Sequence, residues 1–467
     1  MREKQEERMD RSDMRAFLRD VIECTETGYV DIRIEETESS RIIYRGRDLD
    51  DIGRTFERGG CLRVFDRGNW LVATFNRVDA SLRGLAEDLC RQAAALPPRE
   101  AALADLPAFD DAVRLDPADD PRRVPLSEKH ELIRKYNDIL LATQGIATTV
   151  SAYADAHKQT HFFSSDNRYI EQEFIHTGFM ASAVARDGAS IQSYGDSFGK
   201  TQGFESLRNR EPLVERIAKV ALDLLKAEPV DAGKYTVIID PELGGVFAHE
   251  AFGHLSEADF ISGNERLRGM MRVGARFGND DLTIVDDATL PGERGSYRFD
   301  DEGTESERTE LIRNGVLAAH LHDRQTAAKM HETPTGNARA ISYRFAPIVR
   351  MSNTFIEPRG SNIEDMMDSL DRGLYVVGSR GGMTELESFT FASKYAWVIE
   401  GGRKTRMVRD VTLSGNVFET LRNIDMIGDD LTIFGGLGGC GKGGQMPLPV
   451  GLGAPHVRIK DVVVGGK

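Results

Sequence analysis

The stretch Gly59–Phe75, GGCLRVFDRGNWLVATF, reads as two β-strands joined by a tight turn. Cys61–Phe65 and Trp70–Phe75 are rich in the β-branched and aromatic residues that pleated strands favour. Between them lies Asp66–Asn69, with the sequence DRGN, which has the composition of a hairpin turn. The chain is therefore expected to contain an antiparallel sheet in its N-terminal third.

Further strand and helix signals lie on both sides of this hairpin. Apolar patterning predicts strands at Val30–Ile34, Arg41–Arg45, Tyr235–Ile239 and around Val457 and Ile459, and a meander of short strands over Thr148–Tyr194. Helices are predicted at Ala80–Ala95, after Ser127 as N-cap, and from Pro212 onward. The expected fold class is α+β with mainly antiparallel sheets.

The length of 467 residues is too great for one simple core and favours three domains. We expect an N-terminal α/β domain at 16–104, a mixed central domain at 105–232, and a mainly antiparallel β domain with a metal-binding helix at 233–467. The Asp- and Pro-rich stretch Pro107–Pro125 is typical of a linker. The first fifteen residues, MREKQEERMDRSDMR, are expected to form a frayed leader.

Charge and composition exclude several classes of protein. The net charge is −15, without a dense Lys/Arg block, which argues against nucleic acid as a partner. The sequence contains no run of about 18 apolar residues, so no membrane-spanning helix is expected. A secretory signal would require an apolar stretch after the charged leader, and none follows it. Only four cysteines occur, without paired spacing, which favours a reducing compartment and a cytoplasmic location.

The clearest chemical motif is HEAFGH at His249–His254, an HExxxH pattern. In the common HExxH zinc motif the histidines lie about 40° apart around the helix, whereas a spacing of five residues gives about 140°. A π-type turn would bring residues five apart together, and Gly253 weakens the helix where that distortion is needed. Glu250 is suited to act as general base for a zinc-bound water. The alternative is two unrelated histidines on an ordinary helix.

Three residues are candidates for the third protein ligand of such a metal. Glu257 and Asp259 follow the motif closely, and Cys440 lies in the glycine-rich segment GGLGGCGKGG. A lone cysteine is more commonly a small buried hydrophobe, which is the expectation for Cys24, Cys61 and Cys90. The residues alone leave the choice of third ligand open.

The glycine-rich segment also matches the GxxxxGK pattern of a phosphate-binding loop, at Gly436–Lys442, after the strand-like Leu431–Phe434. However, Gly443 stands where Mg²⁺ binding requires Ser or Thr. The following QMPLPVG contains prolines that prevent the helix such a loop needs. Nucleotide binding is therefore not expected.

Taken together, these segments resemble the TldD/PmbA family of metallopeptidases, some of which are described as modulators of DNA gyrase. The resemblance covers nearly all of the chain after the leader. It is carried by HEAFGHLSEAD (249–259), DDEGT (300–304), TPTGNARAISY (333–343), RMSNTF (350–355) and CGKGGQMPLPVGLGAPHVRIKDVVVGG (440–466), besides the hairpin at 59–75. The combination of HExxxH with the cysteine-glycine block is highly specific.

The resemblance implies a catalytic Zn²⁺ bound by His249, His254 and Cys440, with Glu250 as the catalytic residue. It implies a TldD-like active subunit, because PmbA/TldE-like partners usually lack the motif. It further implies peptide or unfolded-protein substrates and a homodimer, or a heterodimer with a PmbA/TldE-like subunit. The segment Gly381–Phe391 departs from the family pattern, which leaves the natural substrate unspecified.

The acidic and glycine-rich motifs have more modest expected roles. DDEGT and TPTGN have turn composition, and Asp300, Asp301 and Glu302 are candidates to shape the cleft or orient a ligand histidine. A metal in a roofed cleft, with an extended peptide added to a sheet edge of the last domain, would explain selectivity for unfolded chains. The alternative functions are a non-catalytic peptide-binding scaffold and a metal-dependent hydrolase of a non-peptide amide.

Overall fold

A computed structural model describes residues 9–23, 28–385 and 387–466 of the chain. The fold is mixed α+β with mostly antiparallel sheets, as predicted. Part of the predicted leader, residues 1–8, lies outside the described residues, as does Cys24. The leader prediction is wrong for residues 11–15, because helix α1 begins at Arg11 and buries Met14 and Leu18.

Within its described residues, the N-terminal half consists mainly of long strands and four α-helices. Its elements are α1 (Arg11–Glu23), β1 (Tyr29–Arg45), β2 (Asp48–Asp66), β3 (Asn69–Phe75), α2 (Ser81–Ala95), β4 (Phe109–Val113), α3 (Leu126–Ala142), β5 (Ile146–Ser164), β6 (Arg168–Asp187), β7 (Ser190–Lys200) and α4 (Glu211–Lys226). The seven strands form one sheet in the order β3-β2-β1-β5-β6-β4, with β7 also paired to β6. All pairs are antiparallel except β4 with β6.

Several sequence predictions for this half are confirmed. The hairpin from β2 to β3 turns at Arg67 and Gly68, which both have positive φ angles. The helices predicted at Ala80–Ala95 and from Pro212 form α2 and α4, and each buries one apolar face. The predicted meander is antiparallel, but it consists of the three long strands β5, β6 and β7 rather than several short ones.

Two predictions for this half are wrong. The expected linker Pro107–Pro125 contains β4, which pairs in parallel with the first residues of β6 and thus extends the sheet. Helix α3 begins at Leu126 after Pro125, so Ser127 lies inside its first turn and does not cap it. At 107–125, proline and aspartate marked chain turns but concealed strand β4, whereas the helix after Pro125 was predicted and only its start was misplaced.

The C-terminal half consists of shorter elements. They are β8 (Glu228–Pro229), β9 (Gly233–Ile239), α5 (Pro241–Ala248), α6 (Ala258–Ser262), α7 (Glu265–Met270), β10 (Ile284–Asp287), β11 (Arg308–Arg313), β12 (Val316–Leu317), α8 (Arg324–Met330), β13 (Ala338–Arg339), β14 (Ile348–Val349), β15 (Asn353–Ile356), α9 (Ile363–Asp368), β16 (Arg372–Glu385), β17 (Ser388–Glu400), β18 (Arg403–Arg409), β19 (Thr412–Asn416), α10 (Val417–Arg422), β20 (Ile424–Ile427), β21 (Thr432–Phe434), β22 (Cys440–Lys442), β23 (Gln445–Leu448), β24 (Gly451–Ala454) and β25 (Val457–Gly465).

Helix α5 lies at the centre of this half, between two larger sheets. An eight-stranded sheet runs β16-β9-β25-β19-β17-β18-β8, with β20 also paired to β25, and the pairing of β16 with β17 closes it on itself. A six-stranded sheet runs β12-β11-β10-β15-β24-β21. Leu243 and Phe247 of α5 belong to the same buried apolar cluster as Phe391 of one sheet and Ile284 of the other. The helix is therefore fixed from both sides.

Candidate metal centre

The start of helix α5 is fixed by its sequence. The side chain of Asp240 accepts a hydrogen bond of 2.9 Å from the backbone N–H of Leu243, and Pro241 occupies the first helical position. Gly244 and Gly245 follow, although glycine weakens a helix. A Cβ at Gly245 would lie 2.5 Å from the backbone nitrogen of Gly453. These glycines therefore allow the helix to lie directly against strand β24.

The end of the helix contains the predicted distortion. His249–Gly253 forms one π-helical turn, followed by a 3₁₀ turn at His254–Ser256. The two imidazole rings lie with their centroids 5.1 Å apart, although the residues are five positions apart. Gly253 is needed for a second reason, because a Cβ there would lie 2.0 Å from the sulfur of buried Met351. The local unwinding expected from the spacing is confirmed.

Cys440, at the first position of β22, lies against these histidines. Its sulfur is 3.3 Å from Nε2 of His254. One ligand atom from each of His249, His254 and Cys440 lies within 4.8 Å of the other two. The structure thus brings together the three residues whose spacing and family resemblance suggested a metal site.

The electrostatics of this cluster favour a thiolate. Burial alone raises the pKa of the Cys440 thiol, but His249 and His254 outweigh it and lower that pKa to about 4. Burial lowers the pKa of His254, but its hydrogen bonds with Cys440 and Glu257 raise that pKa to about 10. Without a metal, a thiolate therefore faces an imidazolium. A cation can take the place of the imidazolium proton between them.

The cluster fits zinc by its chemistry and its distances. A tetrahedral ion with bonds of about 2.0 Å to nitrogen and 2.3 Å to sulfur separates such ligand atoms by roughly 3.5 Å. The separation of 3.3 Å between Cys440 and His254 is close to that value. Nδ1 of His249 is buried and has no hydrogen-bond partner among the described residues, so a ligand role would satisfy it.

Glu250, the predicted general base, lies at the same place. Its carboxylate is 3.9 Å from Nε2 of His254, and the side chain is 31% exposed. Glu250, His249 and Cys440 line one cavity of about 370 Å³. A partly exposed carboxylate there can exchange protons with water next to the cluster.

The two carboxylates considered as third ligands have another role. Glu257 is fully buried and its Oε2 accepts a hydrogen bond of 3.0 Å from Nδ1 of His254. The ammonium group of Lys442 lies 3.0 Å from Glu257 and 2.7 Å from Asp259. Burial raises the pKa of Glu257, but His254 and Lys442 outweigh it and keep that pKa below its usual value. Glu257 orients His254, and sequence reasoning missed Lys442.

Another part of the cavity wall comes from the N-terminal sheet. Strands β6 and β7 contribute Met180–Ser182 and Gly195–Ser197 to the lining of the cavity. Lys394, on β17, also lines it and forms ion pairs with Glu242 at 2.8 Å and with Asp196 at 3.1 Å. Because Asp196 belongs to β7, this lysine ties the two halves of the chain together beside the cavity.

The described side chains of the acidic motif DDEGT, at 300–304, form no hydrogen bond or ion pair with His249 or His254. Asp301 lies 3.2 Å from Arg33, and Glu302 lies 3.0 Å from Arg63, so both carboxylates pair with arginines of the N-terminal sheet. Asp300 accepts backbone hydrogen bonds from its own turn and from Ala338. These residues tie the turn at 300–304 to the N-terminal sheet, and the expectation that they orient a ligand histidine is not supported.

The remaining sequence predictions can be compared directly. Lys442 is followed by strand β23 rather than by a helix, which agrees with the exclusion of a phosphate-binding loop. Cys61 and Cys90 are buried, as expected. Across the described residues, no helix has the length and apolar character needed to cross a membrane.

Comparison with known proteins gives matches along nearly the whole chain. Three PmbA/TldA metallopeptidase models match: domain 1 at residues 30–95, the central domain at 119–225 and the C-terminal domain at 232–466. A metalloprotease of Synechocystis sp. is 40% identical over 95% of this chain and 96% of its own length. A zinc metalloprotease TldD homolog of Saccharolobus solfataricus is 27% identical over 94% of this chain and 96% of its own length.

A solved structure shows that the fold is shared. TldE from Thermococcus kodakarensis matches with a TM-score of 0.79 at 18% identity, over 97% of this chain and 100% of that chain. Its low identity supports no conclusion about function. The three domain matches in order, and the metalloprotease at 40% identity, carry the assignment. This chain belongs to the PmbA/TldD family of metallopeptidases.

Proposed function

We propose that this chain is a zinc-dependent peptidase that cleaves extended or unfolded peptides. His249, His254 and Cys440 would hold the ion, and Glu250 would act as general base. The observation that carries this proposal is the meeting of three ligand atoms within 4.8 Å, beside a partly exposed glutamate on the wall of the same cavity. The name of the Saccharolobus relative supports the choice of zinc.

The chemistry follows from the residues around the cavity. Bound zinc supplies Lewis-acid activation of the attacking water and of the scissile carbonyl. Glu250 accepts a proton from the water as its oxygen bonds to the carbonyl carbon, and then delivers that proton to the leaving amine as the C–N bond breaks. Glu257 keeps His254 oriented throughout, because it holds the Nδ1 proton.

The cavity supports an extended substrate. Its volume of about 370 Å³ accommodates a few side chains but not a folded domain. Strand β7 borders it, and among the described residues β7 pairs only with β6, so one edge is available for a peptide strand. This edge belongs to the N-terminal sheet and not to the last domain, where the sequence predicted it.

Two further features belong to this proposal. Membership of the PmbA/TldD family favours pairing with a PmbA/TldE-like subunit or with a second copy, and such a dimer would further restrict access to the cavity. A reducing cytoplasm suits the site, since Cys440 must remain a thiolate to bind a cation. The size of the purified complex, with and without a co-expressed TldE-like chain, tests the first point.

The mechanism is tested with Glu250→Gln, which removes the base and keeps all three ligands. We expect zinc content to remain at the wild-type level while cleavage of an unstructured peptide falls by about 10²-fold or more. Cys440→Ala should lower both zinc content and cleavage. Glu265→Gln, at an exposed position of α7, is the matched control and should behave as wild type.

Three outcomes would overturn the proposal. Retained turnover in Glu250→Gln contradicts the assigned base. Zinc-loaded wild type that binds peptides without cleaving them, alone or with a partner, indicates a scaffold instead. Cleavage of small non-peptide amides with no activity on peptides indicates the other alternative function.

A further inference from the structure

A second cluster of metal-ligand residues lies behind the first. His320 and His322 flank Leu321, whose backbone N–H donates to Ser256 and whose carbonyl accepts from Ala258, both at 2.9 Å. In extended chain, residues two apart point to the same side. Both histidines are almost fully buried, and the carboxylate of Glu332 meets them there. None of the three lines the cavity at Glu250.

In the ring of His320, Nε2 is the donor of a hydrogen bond to the backbone. This Nε2 lies 2.8 Å from the carbonyl oxygen of Met271. A carbonyl can only accept, so the hydrogen is on Nε2. In the neutral ring, Nδ1 then presents its lone pair to the carboxylate oxygens of Glu332, at 3.0 and 3.1 Å.

In the ring of His322 the two nitrogens have exchanged roles, so that Nδ1 donates a hydrogen bond and Nε2 faces Glu332. The Nδ1 of His322 lies 3.2 Å from the hydroxyl oxygen of Thr326. That hydroxyl donates its own hydrogen to Asp323 at 2.8 Å, so it accepts from His322. In the neutral ring, Nε2 is left with its lone pair facing Glu332 at 3.1 Å.

Two lone pairs and a carboxylate that face one another require positive charge between them. One divalent ion satisfies all three groups at once. A tetrahedral ion with bonds of about 2.0 to 2.1 Å separates its ligands by roughly 3.3 Å, close to the contacts of 3.0 and 3.1 Å found here.

The loop that carries Glu332 is held in place without an ion. Helix α8 begins with a capping box between Asp323 and Thr326. It ends with His331 at a positive φ angle of 59°, and the N–H of Glu332 donates to Ala327 at 3.0 Å. The Glu332 side chain is 28% exposed, so its carboxylate can be reached from solvent.

We propose that His320 Nδ1, His322 Nε2 and Glu332 form a second, structural metal site for Zn²⁺ or a similar first-row divalent cation. The donor set of two imidazoles and one carboxylate suits such ions. The hydrogen bonds from the other ring nitrogens, to Met271 and Thr326, are those that orient metal-ligating histidines. An ion there would brace Leu321, which forms a backbone bridge with Glu257 and so supports the carboxylate that holds His254.

Metal stoichiometry separates this site from the first. Full-length protein is stripped with chelator, reloaded with excess Zn²⁺, desalted and analysed for zinc per chain. We expect about two equivalents for wild type and about one for His249→Ala/Cys440→Ala, which leaves the second cluster untouched. Adding His322→Gln to that variant should remove the remaining zinc. His331→Asn, beside Glu332 and compatible with the same backbone conformation, is the matched control.

A spectroscopic measurement on unmodified protein gives an independent answer. X-ray absorption at the zinc edge should report about half a sulfur ligand per zinc if both sites are filled, and about one if only the first is. One equivalent of zinc in wild type, with none in His249→Ala/Cys440→Ala as a folded protein, would overturn the proposal. It would leave the His320–Glu332 contacts as ordinary ion pairs. The zinc-peptidase proposal is unaffected by either result.

Discussion

At the scale of single residues, the carboxylate of Glu257 determines how His254 faces Cys440. Glu257 accepts a hydrogen bond from the Nδ1–H of His254, which leaves Nε2 directed at the cysteine sulfur. Lys442 compensates the charge of Glu257 in a fully buried position. The orientation of the ring therefore does not depend on a bound ion.

We expect Glu257→Gln to lower zinc affinity by about 10- to 100-fold, because glutamine removes the negative charge that strengthens His254 as a ligand. Competition with a zinc-sensitive chelator dye measures this change. Asp259→Asn is the control, since Asp259 contacts the same Lys442 but not His254. Equal affinities for the two variants would show that Glu257 acts only through Lys442.

The sequence predicted the members of this cluster better than their surroundings. His249, Glu250 and His254 are adjacent in a recognisable motif, and Cys440 followed from the family resemblance. Lys442 lies on strand β22, which is far from Glu257 in the sequence but next to it in the fold. No local sequence pattern reveals such a contact. Glu257 was identified as a candidate ligand because sequence spacing does not distinguish a residue that binds an ion from one that holds its ligand.

At the scale of elements, the π turn at His249–Gly253 is the decisive local structure. The spacing of five residues required it, and the sequence predicted it for that reason. Strand β4 was not predicted, because it depends on pairing with β6, and the start of α3 was misplaced because Pro125 rather than Ser127 is its N-cap. Chemical constraints on geometry were therefore more informative here than residue propensities.

Gly253→Ala should disturb this turn. Alanine favours helix by about 1 kcal/mol over glycine, but the new Cβ would overlap the sulfur of Met351, and overpacking costs about 1 to 3 kcal/mol. We expect a lower Tm and lower zinc content. Thermal unfolding by circular dichroism and metal analysis measure both.

Met351→Ala provides the matching test in a double-mutant cycle. It leaves a cavity on its own, but it also makes room for the added methyl group. The double variant should therefore be more stable than the sum of the two single changes predicts. Strict additivity would show that Gly253 is required for helix unwinding alone and not for the contact with Met351.

At the scale of the whole molecule, the candidate site lies between the N-terminal sheet and the helix α5 of the C-terminal half. Arg33 and Arg63 of the sheet pair with Asp301 and Glu302 of the C-terminal half. Lys394 of the C-terminal half pairs with Asp196 of β7 beside the cavity. The sequence predicted a roofed cleft on functional grounds. It could not predict which strands form the roof, because the order of a sheet depends on long-range pairing.

We expect this enclosure to select substrates by their folding state. A destabilised variant of a small domain, unfolded under the assay conditions, should be cleaved at least about ten times faster than the stable parent of nearly identical sequence. Backbone groups of the parent are already paired, so they cannot pair with a strand edge. Mass spectrometry of the products measures both rates. Equal rates would show that the cavity admits folded chains.

The separation of His254 and Cys440 along the chain determines when the cluster can form during synthesis of the protein. The two residues are separated by 186 positions, yet their side chains are in contact. At about 5 to 20 residues per second, a ribosome needs roughly 10 to 40 seconds to add that much chain. A nascent chain thus carries both histidines long before it can complete the cluster. On the proposed mechanism, hydrolytic activity would be delayed until most of the protein has been synthesised, and neighbouring unfinished polypeptides on the same messenger RNA would be spared.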